Sequence, residues 1–153
     1  MLETLLHALI VYSITSAAPK VPTVRAHDIA DMIVRESTRE QVDPVLVVAV
    51  MWHESGFRNL PVNATKDRGL MQVHWSPGAP WLAGLSPRDL MDPATNVRAG
   101  VRELAWWRGQ HEKRCDDSKH FWWAHYKWGY RVKDRRYGRA IHSKVERSYR
   151  LFL

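Results

Sequence analysis

The strongest constraint on the fold is the stretch Pro44-Val45-Leu46-Val47-Val48-Ala49-Val50-Met51-Trp52-His53-Glu54-Ser55 between Asp43 and Gly56. Its eight consecutive apolar residues leave no polar face. Asp43 is a good N-cap, Pro44 suits the first helical turn, and Gly56 suits a left-handed stop. The segment therefore reads as a helix over 44–55 that must be enclosed on nearly every side. It is far below the roughly 18 apolar residues that a membrane span requires. Glu54 sits in its last turn. Apolar neighbours desolvate the carboxyl, and the carbonyl end of the helix disfavours its ionisation, so both effects raise its pKa toward that of a general acid. The competing reading is a glutamate that simply emerges into water at the helix end.

A chain of 153 residues can enclose such a helix within one domain, without a metal or disulfide staple. The single Cys115 excludes an internal disulfide framework. Residues 2–18 are apolar and end in small residues. They read either as a secretory signal, weakened by Glu3 and the lack of an early base, or as a docking helix with Leu2, Leu5, Leu6 and Leu9 on one face. We take 1–20 as this apolar N-terminal segment and 21–153 as the main domain. Within it, 25–41 reads as a surface helix through Ile29, Met32, Ile33 and Glu36. A small hairpin is expected near Gly69–Val73, a short capped helix at Ser86–Asp89, and a helix from Asp92-Pro93 to about His111. A further helix is expected from about Ser118 to Trp128, ended by Gly129, and a last amphipathic one through Ile141, Val145 and Tyr149.

Four blocks follow one another in order: Glu54-Ser55-Gly56-Phe57, Gly69-Leu70-Met71-Gln72, Asp92-Pro93 with Asn96, Gly100 and Leu104, and Ala124-His125-Tyr126-Lys127-Trp128-Gly129. Glu54 and Gln72 stand 18 positions apart. In these blocks the chain resembles the soluble lytic transglycosylase family, related to goose-type lysozymes, from about residue 26 to 132. The resemblance implies a mainly α (α+β) lysozyme-like fold, a helical bundle around a buried central helix with a small β-hairpin beside the substrate cleft. It implies peptidoglycan glycan strands as substrate, cut between N-acetylmuramic acid and N-acetylglucosamine. By the same resemblance Glu54 is the catalytic acid. Ser55 helps hold the acid and the sugar, Met71 and Gln72 line the cleft, and Tyr126 lies near the acid. His53, Asn63, Lys66, His125, Lys127 and Trp128 depart from the family pattern and affect the sugar contacts.

Most glycosidases place two carboxyls across the scissile bond. The family works with one, closing the C6 hydroxyl onto the anomeric carbon to leave a 1,6-anhydro end. Goose-type enzymes carry a carboxylate soon after the G-L-M-Q block, where this chain has Val73-His74, so the non-hydrolytic reaction is favoured. Asp67 remains a candidate second carboxylate for hydrolysis. A non-catalytic wall-binding or virion protein keeping the fold is the rival of a different class.

The net charge of +7 lies wholly between Lys127 and Arg150, with nine bases against two acids. Such a face either solubilises the protein or attracts a polyanion. Tyr137, Tyr149 and the arginines would suit phosphate contacts, but no nucleic-acid module accompanies them, so an anionic wall matrix is the better partner. Trp75 and Trp81, in the irregular stretch after the hairpin, are candidates for sugar stacking, and the helical tryptophans are core. His111, Cys115, Asp116, Asp117 and His120 lack a tight ligand spacing and read as a loop with surface imidazoles, so no metal and no cofactor are expected. The expected place of action is the periplasm or cell wall, reached from a phage virion or by export, with a virion or envelope partner for residues 2–18.

Overall fold

A computed structural model describes residues 2–114, 121–130, 132 and 135–150. Its longer helices are α1 (Leu2–Ala17), α2 (Thr23–Glu40), α3 (Pro44–Ser55), α4 (Pro93–Arg114) and α6 (Arg136–Arg150), with a single-turn α5 (His125–Trp128). Strands β1 (Asp67–Arg68) and β2 (Val73–His74) form an antiparallel hairpin in which Asp67 pairs with His74. The result is the expected mainly helical, lysozyme-like architecture.

α3 is the centre of the bundle. Asp43 caps it, accepting from the Val45 amide at 2.9 Å, and Gly56 ends it at φ 60°. Every residue from Val45 to Met51 is at most 4% exposed. α1, α2 and α6 pack around it, while α4 packs on α2 and carries the hairpin and the short 3₁₀ turns Pro80–Leu82 and Asp89–Met91. Burying so many Val, Leu and Met side chains, at about 1.5–3 kcal/mol each, holds α3 in place. α1 enters the same core through Ile10 and Ile14, both fully buried, while Leu5 stays 65% exposed. The inward face of α1 is thus centred on Ile10 and Ile14, with Leu6 and Leu9 of the expected leucine face half-buried beside them and Leu5 outside.

The hairpin is clamped from two directions. The fully buried Asn96 of α4 accepts from the Met71 amide at 2.9 Å and donates to the carbonyls of Arg68 and Leu90 at 2.8 and 2.9 Å. A Cβ at Gly69 would collide with that amide group, so glycine is needed there for space as well as for φ 81°. Gly100, one turn along α4, leaves room for the Met71 side chain. From α3, the Ser55 hydroxyl donates to the Leu70 carbonyl at 2.5 Å.

Two expectations need correction. The helix foreseen from about Ser118 to Trp128 is, in its described part, an extended Phe121 (ψ 136°), a 3₁₀ turn Trp122–Ala124 and then α5. Aromatic packing overrides the helical pattern there. Phe121 stacks on Trp123 and on His142, each at 4.6 Å, and the Trp123 indole donates to the Gly138 carbonyl at 3.0 Å. Tyr149 of α6 lies outside the core at 43% exposure and donates to Asp43 at 2.8 Å, whereas Tyr137 is the buried tyrosine of that helix. Arg135, Arg136, Arg139, Arg147 and Arg150 are exposed, as the basic outer face requires.

Replacing Asn96 by Ala would orphan one amide and two carbonyls in a dry interior, at about 1–3 kcal/mol each. The variant should lose about 3 kcal/mol or more in urea unfolding at unchanged m-value; a loss under about 1 kcal/mol would show that the hairpin does not depend on this amide.

Candidate active site

Glu54 leaves the end of α3 and points to a cavity of about 290 Å³ between that helix, the hairpin, α4 and α5. α3 supplies Glu54, the hairpin and the loop before it supply Thr65, Asp67, Gln72 and His74, α4 supplies Glu103, and α5 supplies Tyr126, Lys127 and Trp128. Three of the residues singled out from the sequence, Glu54, Gln72 and Tyr126, therefore meet at one wall-to-wall site.

The Glu54 carboxyl is mostly buried and its pKa is raised, chiefly by that burial. A hydrogen bond from Tyr137 and the charge of Lys127 act in the opposite direction, and the negative charge of Asp67 adds to the rise. The Tyr137 hydroxyl donates to Glu54 Oε1 at 2.7 Å, fixing one oxygen of a carboxyl that belongs to the cavity lining. Tyr137 is 5% exposed, held edge-on by the His53 ring at 5.0 Å, with the Lys127 ammonium 5.6 Å above its own ring. Partial desolvation of the His53 ring and the charges of Lys144 and Lys127 lower its pKa, although the residue as a whole is exposed.

Asp67 is the opposite case. Burial would raise its pKa, but hydrogen bonds from Thr65, His74 and Asn63 and the His74 charge outweigh it and hold the carboxyl below the ordinary range. His74 Nδ1 stands 2.9 Å from Asp67 Oδ1, and the Asn63 amide 3.2 Å from Oδ2. The cavity thus holds one carboxyl biased toward the neutral acid and another biased toward the carboxylate. Such a pair can give a proton from one wall and keep a negative charge on another.

Gln72 sits in the left-handed region at φ 49° and is steadied by the Gly69 carbonyl at 3.0 Å and the Asn63 amide at 3.3 Å. The Tyr126 hydroxyl donates to the Met71 carbonyl at 2.8 Å, so α5 and the hairpin turn hold each other. Met71 and Ser55 lie beneath the cavity rather than in it. Met71 is fully buried, its side chain turned into the space above Gly100, and Ser55 is 3% exposed with its hydroxyl held by the Leu70 and Met51 carbonyls. Both shape the turn from below.

Two groups at the site escaped the sequence reading. Tyr137, grouped there with exposed phosphate-contacting side chains, is buried against Glu54; its spacing of four before the core residue Ile141 was the available signal. Glu103 falls on the inward stripe of α4 with Asn96, Gly100 and Trp107, a charged residue among buried ones. Trp81 packs on Trp106 and Trp107 at 5.0 and 6.0 Å, and Trp128 rather than Trp75 lines the cavity. His111, expected at the surface, is 6% exposed and lies 3.1 Å from His125. Cys115, Asp116, Asp117 and His120 lie outside the described residues; among those described, no His, Cys, Asp and Glu cluster could hold a metal ion.

The family model of the transglycosylase SLT domain matches residues 31–145, spanning α3, the hairpin, α4, α5 and most of α6. The chain belongs to the SLT transglycosylase family. Relatives of this SLT domain include the membrane-bound lytic murein transglycosylase C of Klebsiella pneumoniae, 36% identical over 104 residues. The proteins of the same name from Edwardsiella ictaluri and Salmonella arizonae are each 35% identical over that length. The matched stretch is 63% of this chain but only 29% of the Klebsiella protein. No solved structure matches significantly.

Glu103 gives this SLT domain a pH signature. Its pKa is pushed up to about 8, first by burial, with the Trp107 hydrogen bond opposing and the charges of Glu54 and Asp67 assisting. The folded state then keeps a proton that the unfolded chain releases near pH 4.5, so this group's contribution is complete below that pH and is lost as pH rises toward 8. Stability of Glu103→Gln relative to wild type should therefore grow by about 1.4 kcal/mol per pH unit between about pH 5 and 8. A difference independent of pH in denaturant titrations would show that Glu103 is ionised at neutral pH.

Proposed function

We propose that this domain opens peptidoglycan glycan strands by lytic transglycosylation, with Glu54 as both acid and base. The carrying observation is the raised Glu54 carboxyl facing a cavity between the hairpin and α5. Family membership and relatives named as murein transglycosylases support the substrate.

In the first step Glu54 transfers its proton to the glycosidic oxygen between N-acetylmuramic acid and N-acetylglucosamine. The bond from that oxygen to the anomeric carbon breaks, and the neighbouring N-acetyl carbonyl oxygen bonds to the anomeric carbon as positive charge develops. In the second step the Glu54 carboxylate takes the proton of the C6 hydroxyl. The C6 oxygen attacks the anomeric carbon, the acetamide is released, and a 1,6-anhydro ring remains. Glu54 regains its proton and no water is consumed. Tyr137 suits both steps, since its hydrogen bond stabilises the carboxylate formed between them.

Asp67 supports a second reading. It lines the same cavity and is held ionised, so it could activate a water for hydrolysis, as the second carboxyl of an ordinary glycosidase does. The third alternative is a wall-binding protein without the reaction. The proposed place of action is the periplasmic wall, reached from a virion or by export, and N-terminal sequencing of native protein separates those routes. No described helix is long and apolar enough to cross a membrane.

Purified peptidoglycan and product mass separate these readings. Wild type should release muropeptides lighter by one water than reducing-end products. Glu54→Gln should cut the rate by at least about 10³-fold, as loss of an essential acid does. Asp67→Asn should leave the anhydro product in place. Reducing ends lost with Asp67→Asn would establish hydrolysis, and equal clearing by Glu54→Gln would remove Glu54 from the chemistry.

A further inference from the structure

Glu103 takes no part in the steps above, yet it lines the Glu54 cavity from α4. It is 5% exposed. Its Oε1 accepts from the Trp107 indole at 3.3 Å, and its Oε2 has no hydrogen-bond partner among the described residues. No Lys, Arg or His among them forms an ion pair with it. A buried carboxylate without a cation is costly, whereas the neutral acid carries one O–H donor. The remaining oxygen of that acid is almost wholly covered, no described protein group bonds to it, and the residue that carries it lines a cavity read as a glycan site.

We propose that Glu103 is a substrate-contacting residue: a carboxylic acid whose Oε2–H donates a hydrogen bond to an uncharged oxygen of the bound glycan, a hydroxyl or an acetamide carbonyl. This rests on the glycan reading of the cavity given above. No bond of the substrate is made or broken at Glu103. Its role is to hold a sugar oxygen on the α4 wall while Glu54 works from α3.

The surroundings favour the protonated form. Glu54 from α3 and Asp67 from the hairpin both push the Glu103 proton affinity up, burial being the larger cause. Tyr126 from α5 and Tyr137 from α6 are kept protonated mainly by burial, and would be kept so further by an ionised Glu103. His74 and Lys127 share the cavity wall, and His74 is engaged with Asp67. An ionised Glu103 can only accept, so glycan binding should weaken as pH rises through about 8.

The test uses the full chain carrying Glu54→Gln, which binds without cutting, and the hexamer of N-acetylglucosamine as probe. We expect the parent to lose affinity about 10-fold between pH 7 and 9.5. Glu103→Gln, which keeps a donor, should bind within about threefold of the parent at pH 7 and stay constant to pH 9.5. Glu103→Met, of similar length without a donor, should bind about 10-fold more weakly at pH 7 with a melting temperature no lower than the parent's. Equal affinity of the Met variant and the parent across this range would overturn the proposal and leave the transglycosylase reading intact. Should the Met variant fail to fold, the same alkaline loss in the Gln variant and the parent would overturn it. A parent that binds no hexamer, with a wild type that releases nothing from peptidoglycan, would overturn both readings together.

Discussion

The whole arrangement depends on the complete burial of one short helix. α3 has no polar face, so it is stable only if other elements cover it on every side, and α1, α2 and α6 do so. A helix enclosed in this way has one place where a charged side chain can appear, its end. Glu54 occupies that end. The carboxyl is thereby withdrawn from water by the same contacts that hold the bundle together, and its raised proton affinity follows from the fold rather than from any dedicated partner.

The remaining elements then serve to bring a surface up to that carboxyl. Asn96 fixes the hairpin to α4, Ser55 fixes it to α3, and Tyr126 fixes it to α5, so the cavity wall opposite Glu54 is tied at three points. Within that cavity the three carboxyls are sorted by their surroundings. Among the described residues, Asp67 accepts from three donors and stays ionised, Glu54 accepts from one and is biased toward the acid, and Glu103 has a weak indole contact and holds its proton to about pH 8. The negative charge of the first helps to keep protons on the other two. Tyr137 limits this effect at Glu54 by donating to the carboxylate, the form that the proposed second proton transfer requires.

Much of this was legible in the chain because it depends on local signals. The Asp-Pro starts of α3 and α4, the Gly56 and Gly129 stops and the Gly69 turn all express short-range backbone preferences, and each stands where expected. Glu54, Gln72 and Tyr126 were legible from their blocks. What escaped depends on distant contacts. Whether Met71 points into a cleft or a core is decided by Gly100, 29 residues later, and the partner of Glu54 comes from α6, 83 residues away. The broken helix near Trp122 reflects aromatic stacking onto α6, which no periodicity reports. Glu103 was readable in principle, as a carboxyl on an inward stripe, but only once the direction of that stripe was known.

The central claim is that Glu54 keeps its proton more tightly than an ordinary glutamate, and side-chain carboxyl carbon NMR tests it most directly. The resonance is assigned as the one missing from Glu54→Gln and followed from pH 3 to 9 in the folded protein. The Glu54 carboxyl should titrate clearly above a glutamate in a short unstructured peptide. A Glu54 midpoint at or below that of the peptide glutamate would contradict this, because an acid already ionised at low pH has no proton to give a sugar bridge at neutrality.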